Sequence, residues 1–315
     1  MTGAPAGTGD HRAGFVAFVG RPNAGKSTLT NALVGEKVVI TSSKPQTTRR
    51  VVRGIVHRPD FQLVVLDTPG LHRPRTLLGE RLNAEVRSAW SEVDTVGLCV
   101  PADERVGPGD RFIARELAAL SRVRLVAVVT KTDRVTRDRV AEQLVAVAEL
   151  GQAEGIDWAE IVPVSAVAGD ASGNVELLAG LLGGMMPASP PLYPDGELTD
   201  EPELVLVAEL IREAALEGVR DELPHSIAVV VEEMRARDDR PADRPLLDVQ
   251  AFLYVERDSQ KAIVIGPKGA RLRDIGATAR RQIEALLGSQ VYLDLRVTVA
   301  KDWQRDPRQL RRLGF

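Results

Sequence analysis

The chain of 315 residues has one cysteine, Cys99. No intramolecular disulfide can form, which suits a reducing cytoplasm. Cys99 lies in the apolar run Val96-Gly97-Leu98-Cys99-Val100, so a small buried core residue is expected there. Four histidines and one cysteine, scattered, make no credible zinc site. No arrangement of Ser/His/Asp or Cys/His for covalent catalysis is evident, and internal repeats are absent. No run of about 18 apolar residues exists, so no membrane-spanning helix is expected. Met1 to Arg12 is small, polar and glycine-rich, without the apolar core of a signal peptide. A cytoplasmic monomer is the expectation, with peripheral contact at the inner face of the cell membrane left open. Net charge is also small, only −3. Its distribution says more. Lys261 to Phe315 carries 12 Lys/Arg against 5 Asp/Glu, a net of +7, so the rest carries −10. A basic end on an acidic body points to an anionic partner. The plainer reading is a solvated basic helix face.

What is present begins with Gly20-Arg21-Pro22-Asn23-Ala24-Gly25-Lys26-Ser27, a phosphate-loop pattern. It follows an apolar run, Phe15 to Val19, and precedes a helix-like run from Thr28. That strand–loop–helix context is what the pattern requires. Glycines let backbone N–H groups curl round a di- or triphosphate, and the helix N-terminus adds partial positive charge. Lys26 is expected on the β/γ-phosphates and the Ser27 hydroxyl on Mg²⁺.

The first half alternates strand-like and helix-like segments. Strands are expected at 15–19, 51–57, 62–66, 95–100, 125–129 and 160–164. Helices are expected at 26–34, 78–90, 110–120, 137–150 and 174–182. Such alternation means βαβ units and a mainly parallel sheet covered on both faces, with ligands at the carboxyl ends of the strands. A Pro/Gly-rich stretch over 184–200 reads as a linker. The expected division is a disordered N-terminus (1–13), an α/β phosphate-loop domain (14–183), the linker, and a smaller α+β domain (201–315). In that last domain a helix is expected at 201–217. Strands are expected at 226–233, 248–255, a short one at 262–265, and 292–299. A helix runs to Leu287.

Further pieces of a nucleotide site arrive in order. Asp67-Thr68-Pro69-Gly70 ends the third strand; Asp67 can hold Mg²⁺ through a water and the Gly70 N–H can sense a γ-phosphate. Between this and the phosphate loop lies Ser42-Ser43-Lys44-Pro45-Gln46-Thr47-Thr48-Arg49. One threonine there, Thr48 in preference to Thr47, can complete the Mg²⁺ shell. Thr130-Lys131-Thr132-Asp133 ends the fifth strand. The Asp133 carboxylate can accept from N1–H and N2–H₂ of guanine, which adenine does not offer, and an unmet buried carboxylate is costly. The Lys131 stem can lie against the base. Ser165-Ala166 follows the sixth strand, where backbone N–H groups can reach guanine O6. Each piece alone reads as a turn or cap. Five in order at strand ends do not arise by coincidence.

This constellation resembles the translation-factor-related small GTPases. Gly-Arg-Pro-Asn-x-Gly-Lys-Ser and Lys-Pro-Gln-Thr-Thr-Arg resemble in particular the Era family of bacterial ribosome-assembly GTPases, over essentially the whole chain after residue 13. One departure stands out: the base-reading motif of the family starts with Asn, and here Thr130 supplies a hydroxyl without both amide functions. A Ras-like enzyme orients its attacking water with a Gln just after the glycine, and Leu71 occupies that place. Catalysis is then expected from Lys26, Mg²⁺, Thr48 and Gly70. The resemblance also implies a K⁺ held by Asn23, whose plainer role is a turn residue.

In the second domain, Gly266-Pro267-Lys268-Gly269 is a Gly-x-x-Gly turn before a helix carrying Arg271, Arg273, Arg280 and Arg281. Such a turn lets phosphates of single-stranded RNA approach the backbone, as in KH domains. Ile263, Val264 and Ile265 are expected to line a base groove; Trp303 is expected to pack the last strand and His225 to be structural. The order is similar to a type II KH module. The resemblance implies binding near the 3′ end of small-subunit (16S) ribosomal RNA and a role in maturing the 30S subunit. The competing reading is an RNA-binding protein in which GTP is mainly a structural ligand. A phosphate-loop ATPase or kinase is disfavoured by Asp133.

Overall fold

The computed structural model describes residues 11–41, 48–71, 76–167, 173–217, 219, 223–237 and 245–315. They fall into two compact units. One takes the described residues within 1–39, 48–73 and 82–200, the other those within 40–47, 74–81 and 201–315.

The first unit is built on six strands: β1 (Arg12–Val19), β2 (Val52–His57), β3 (Phe61–Asp67), β4 (Thr95–Pro101), β5 (Arg124–Thr130) and β6 (Glu160–Pro163). Their order is β2-β3-β1-β4-β5-β6. All neighbours pair parallel except β2, which runs antiparallel to β3. Parallel strands need crossovers, and helices supply them. These are α1 (Lys26–Val34), α2 (Leu77–Ser91), α3 (Pro108–Ala118), α4 (Arg137–Glu154) and α5 (Val175–Met185). Because both faces are covered, the strands read as continuous apolar runs; every residue of β4 is buried. Ala17, Val19, Leu98 and Val129 pack with Val86, Ile113 and Val147 on one side. Val16, Phe18, Val126 and Val128 pack with Leu29, Leu33, Leu178 and Leu182 on the other. Cys99 is fully buried in that second layer, and burial pushes its thiol up to about 12.

The N-terminal expectation needs correcting at its end: β1 begins at Arg12, inside the span expected to be disordered, while residues 1–10 lie outside the described residues. The Pro-rich run after α5 is tied along the first unit. Ala13 N–H donates to Pro187 O at 3.2 Å and Ile55 N–H to Leu198 O at 2.8 Å. The buried Gln62 amide accepts from Leu192 N–H at 2.7 Å and Tyr193 N–H at 2.9 Å, and donates to Tyr193 O at 2.9 Å. A run rich in proline cannot build its own ladder, so its remaining backbone groups find partners elsewhere.

The second unit is an α+β module. Its strands are β7 (Ala228–Ala236), β8 (Leu246–Val255) and β9 (Gln290–Val299), in the order β7-β8-β9. Its helices are α6 (Glu203–Leu216), α7 (Leu223–Ser226), α8 (Asp258–Ile265), α9 (Ala270–Leu287) and α10 (Pro307–Arg312). Val249, Ala251, Leu253 and Val255 alternate onto one face of β8, as strand periodicity requires, and pack with Val207, Ile211, Ile275, Ala279 and Ile283.

Two expectations fail here. The short strand at 262–265 is the end of helix α8. The reason is non-local. β8 and β9 pair in parallel, so the chain between them must cross over, and a helical connection does this. Gln260 Oε1 caps the start by accepting from Glu256 N–H at 2.9 Å and Arg257 N–H at 3.1 Å. Residues 226 and 227, expected in strand, precede β7: Ser226 ends α7, which includes His225. α10 was not expected. Pro307 opens it, and Asp306 Oδ1 accepts from Arg308 N–H at 2.8 Å, a side-chain cap of the usual kind.

Candidate nucleotide site and nucleic-acid turn

The phosphate loop leaves the end of β1 and enters α1. A Cβ on Gly20 would lie 2.6 Å from the Cys99 carbonyl oxygen, so only glycine lets this loop pass over β4. Lys26 is 6% exposed, and its Nζ donates to the carbonyls of Gly20 at 3.2 Å and Arg21 at 3.0 Å. Burial pushes the Lys26 ammonium below its ordinary range, and Asp67 opposes that. Asn23 is exposed with a φ of 63°, Ala24 is buried, and Thr28 sits in the first turn of α1. Arg21 and Pro22 are half-buried.

Three oxygens converge beside Lys26. Ser27 Oγ donates to Asp67 Oδ2 at 2.7 Å, Thr48 Oγ1 donates to the same oxygen at 3.0 Å, and the two hydroxyls are 3.0 Å apart. Asp67 is fully buried, and its Oδ1 has no hydrogen-bond partner among the described residues. Burial raises the Asp67 carboxyl; Lys26, Ser27 and Thr48 hold it back. A buried carboxylate oxygen with open lone pairs beside two hydroxyls is a hard oxygen donor set and fits Mg²⁺. The threonine that the structure places here is Thr48; Thr47 lies outside the described residues. Thr68 is turned away, its hydroxyl donating to Phe18 O at 2.8 Å. Gly70 follows Pro69 and sits against the phosphate loop, where an added Cβ would be 3.0 Å from Pro22 N. Leu71 is 5% exposed and belongs to the core layer of α2, α3 and α4.

At the end of β5, Thr130 Oγ1 donates to Ala24 O at 2.6 Å, tying this segment to the phosphate loop by one bond. Lys131 has a φ of 58° and Thr132 opens a short 3₁₀ turn. Asp133 is exposed, and its Oδ1 accepts from the buried Ser165 hydroxyl at 2.6 Å. That second role of Ser165 was not foreseen. Its N–H, expected to face a base, donates instead to Gly173 O at 2.9 Å. The remaining N–H at this position is that of Ala166.

In the second unit, Gly266 has a φ of 70°, and a Cβ there would be 2.7 Å from that of Arg271. Pro267 and Lys268 are exposed, and Lys268 takes a φ of 51°. The turn between α8 and α9 therefore presents Pro267 and Lys268 to solvent, while Gly266 and Gly269 are half-buried. Arg273, Arg280 and Arg281 are exposed on α9, while Arg271 Nη2 donates to Glu217 O at 2.9 Å. Of the expected groove residues, Ile263 is exposed but Val264 is buried in the core. Trp303 is fully buried, donates Nε1–H to Ser226 O at 3.0 Å and stacks on Phe315. It is a core side chain, and these partners lie outside the last strand.

Comparison with known proteins agrees with both halves of this geometry. Residues 15–154 match the family model described as a 50S ribosome-binding GTPase, and residues 222–304 match that of the KH domain. The chain is similar to GTPase Era of Streptomyces coelicolor, 69% identical over 305 residues, covering 97% of this chain and 95% of that protein. It is 64% identical over 307 residues to GTPase Era of Mycolicibacterium smegmatis, covering 97% and 99%. A solved structure of Era in complex with MgGDPNP and nucleotides 1506–1542 of 16S ribosomal RNA superposes with a TM-score of 0.90 at 36% identity, covering 96% of this chain and 99% of that one. A point variant of Aquifex aeolicus Era bound to GDP·AlF4⁻ gives a TM-score of 0.89 at 36% identity, with the same coverage.

Proposed function

The chain belongs to the Era family of GTPases, and from that premise we propose that it is a GTP-hydrolysing switch that binds the 3′ region of 16S ribosomal RNA and assists maturation of the small ribosomal subunit. The observation that carries the nucleotide half is the convergence of Ser27, Thr48 and Asp67 beside the buried Lys26. Bound there, Mg²⁺ would neutralise charge on the transferring phosphoryl group. Lys26 would release its two carbonyls to reach the β/γ-phosphates. Thr48 and Gly70 would report the γ-phosphate, ordering when it is present and relaxing when it leaves. Asp133, oriented by Ser165, would select guanine. Leu71 is a core side chain and orients no water, so intrinsic turnover is slow and depends on electrostatics in the phosphate loop.

For the RNA half, the Gly266-Pro267-Lys268-Gly269 turn, with Pro267 and Lys268 exposed and followed by basic α9, suits phosphates of single-stranded RNA. The related complex with nucleotides 1506–1542 of 16S ribosomal RNA supports the same target here. Asn23, exposed on the loop, is proposed to ligate K⁺. The protein is proposed to act as a cytoplasmic monomer; no helix among the described residues is long and apolar enough to cross a membrane. Single-turnover GTP hydrolysis with and without small ribosomal subunits, in potassium and in sodium, tests this. Stimulation by subunits that is lost in Gly269→Asp is expected. RNA affinity blind to GTP versus GDP, with no stimulation, would favour an RNA-binding protein with incidental turnover. Equal rates in both salts, unchanged in Asn23→Ala, would remove the K⁺.

A further inference from the structure

We propose that Glu104, with Asp103, is a positioning residue for the nucleotide: it bridges the phosphate loop to the base-reading segment and makes up for the single tie of Thr130. This rests on the guanine-nucleotide reading above. Phosphates would lie on one of these segments and the base on the other, so their spacing sets the fit. In the family pattern an Asn amide, donor and acceptor together, joins them. Here Thr130 gives one hydrogen bond, Oγ1 to Ala24 O at 2.6 Å.

The loop after β4 adds a second connection. Arg21 of the phosphate loop is held by its Nε on Asp110 Oδ1 at 2.8 Å, and Asp110 is fully buried. Asp110 Oδ2 accepts from Gly107 N–H at 2.8 Å, so this carboxylate also caps α3 and is fixed. The Arg21 Nη1 then meets Glu104 Oε2 at 2.9 Å. The other oxygen of Glu104 lies 4.0 Å from Lys131 Nζ, and Asp103 Oδ1 lies 3.5 Å from it. Asp103 Oδ2 continues to Arg134 Nη1 at 3.4 Å. Charges therefore alternate without a gap from Asp110 to Arg134, passing through one residue of the phosphate loop and one of the base-reading segment. Lys131 takes a left-handed φ of 58°, a conformation that persists in a non-glycine residue where surroundings hold it. Its side chain and that of Arg21 are only 18% and 25% exposed, so solvent screens the inner part of the bridge incompletely. Glu104 is 45% exposed, which leaves its contribution open to salt.

The test is the release rate of a fluorescent GDP analogue from the full chain with Mg²⁺, for wild type, Glu104→Gln, Asp103→Asn, Thr130→Asn and Glu104→Gln/Thr130→Asn. At low salt Glu104→Gln should release about fivefold faster, the upper range for an exposed ion pair. Asp103→Asn should shift it in the same direction by less. The gap should close near 1 M salt, where the screening length falls to about 3 Å. In the Thr130→Asn background, the Glu104→Gln effect should shrink below about twofold, since two connections joining the same pair of segments are not additive. A wild-type rate for Glu104→Gln, or a gap indifferent to salt, would overturn the bridge. An undiminished effect beside Asn at position 130 would overturn the compensation. Wild type that fails to bind the analogue would instead sink the nucleotide reading itself. Melting curves of each variant separate these from misfolding, which the exposure of Glu104 makes no part of the expectation.

Discussion

Replacing Leu71 by Gln places at this position the residue that a Ras-like enzyme uses to orient water. The side chain is 5% exposed and packed in the layer formed with α2, α3 and α4. Full burial of a leucine contributes about 1.5–3 kcal/mol. A glutamine keeps part of that through its methylenes but takes an amide out of water, at about 1–3 kcal/mol where no partner exists. If the amide swings out to solvent, the leucine contribution is lost instead. Either route costs on the order of 2–4 kcal/mol. At roughly 2–4 °C per kcal/mol for a domain of this size, the melting temperature should fall by about 4–16 °C. Hydrolysis should not improve: a single-turnover rate within about threefold of wild type is expected, because the electrostatic contribution of Lys26 and Mg²⁺ is untouched. The assay pairs that rate with a thermal melt of the same preparation. A tenfold faster variant with an unchanged melting temperature would refute the placement of Leu71 in the core and the assignment of catalysis to the phosphate loop.

Asp67→Asn probes the metal site through pH. Burial holds the Asp67 carboxyl above its ordinary value of 3.8. A raised folded-state pKa means that its contribution is full below the ordinary value and is lost as pH rises through the raised one. The variant lacks this loss, so its urea midpoint relative to wild type should climb as pH rises above the ordinary carboxyl value; a flat difference would contradict the buried, ionising carboxylate. The same variant should lose the extra melting temperature that Mg²⁺ adds to GTP, read against an EDTA control. Asp133→Asn should weaken GTP by at least about 100-fold and gain xanthosine triphosphate, whose 2-carbonyl accepts where guanine donates; retained guanine preference in a competition assay would remove Asp133 from the base site.

Much of this was legible because it is local. A phosphate loop is read from residues that touch along the chain, and its strand and helix flanks follow from apolar runs and periodicity. Asp67, Thr130 and Asp133 stand at strand ends because a parallel sheet collects its ligands there. The failures have non-local causes. Ala262 to Ile265 is apolar and β-branched enough to suggest a strand, yet it lies in the crossover that the parallel pairing of β8 with β9 imposes, and it is helical there. Val264 faces the core while Ala262 and Ile263 are exposed and Ile265 is half-buried, which a helix arranges and a groove-lining strand would not. The stretch after α5 reads as a linker by composition, but Gln62, some 130 positions earlier, holds its backbone.

The sequence by itself determined the class of ligand and the order of the two modules, because those lie in short patterns whose residues act together wherever they fold. Tertiary structure alone decided how the pieces are held. It set the Ser165 hydroxyl on Asp133, turned the Ser165 N–H away to Gly173, and brought Glu104 between Arg21 and Lys131. Residues so far apart in the chain meet only through strand register and helix packing, and no periodicity or motif encodes their distances.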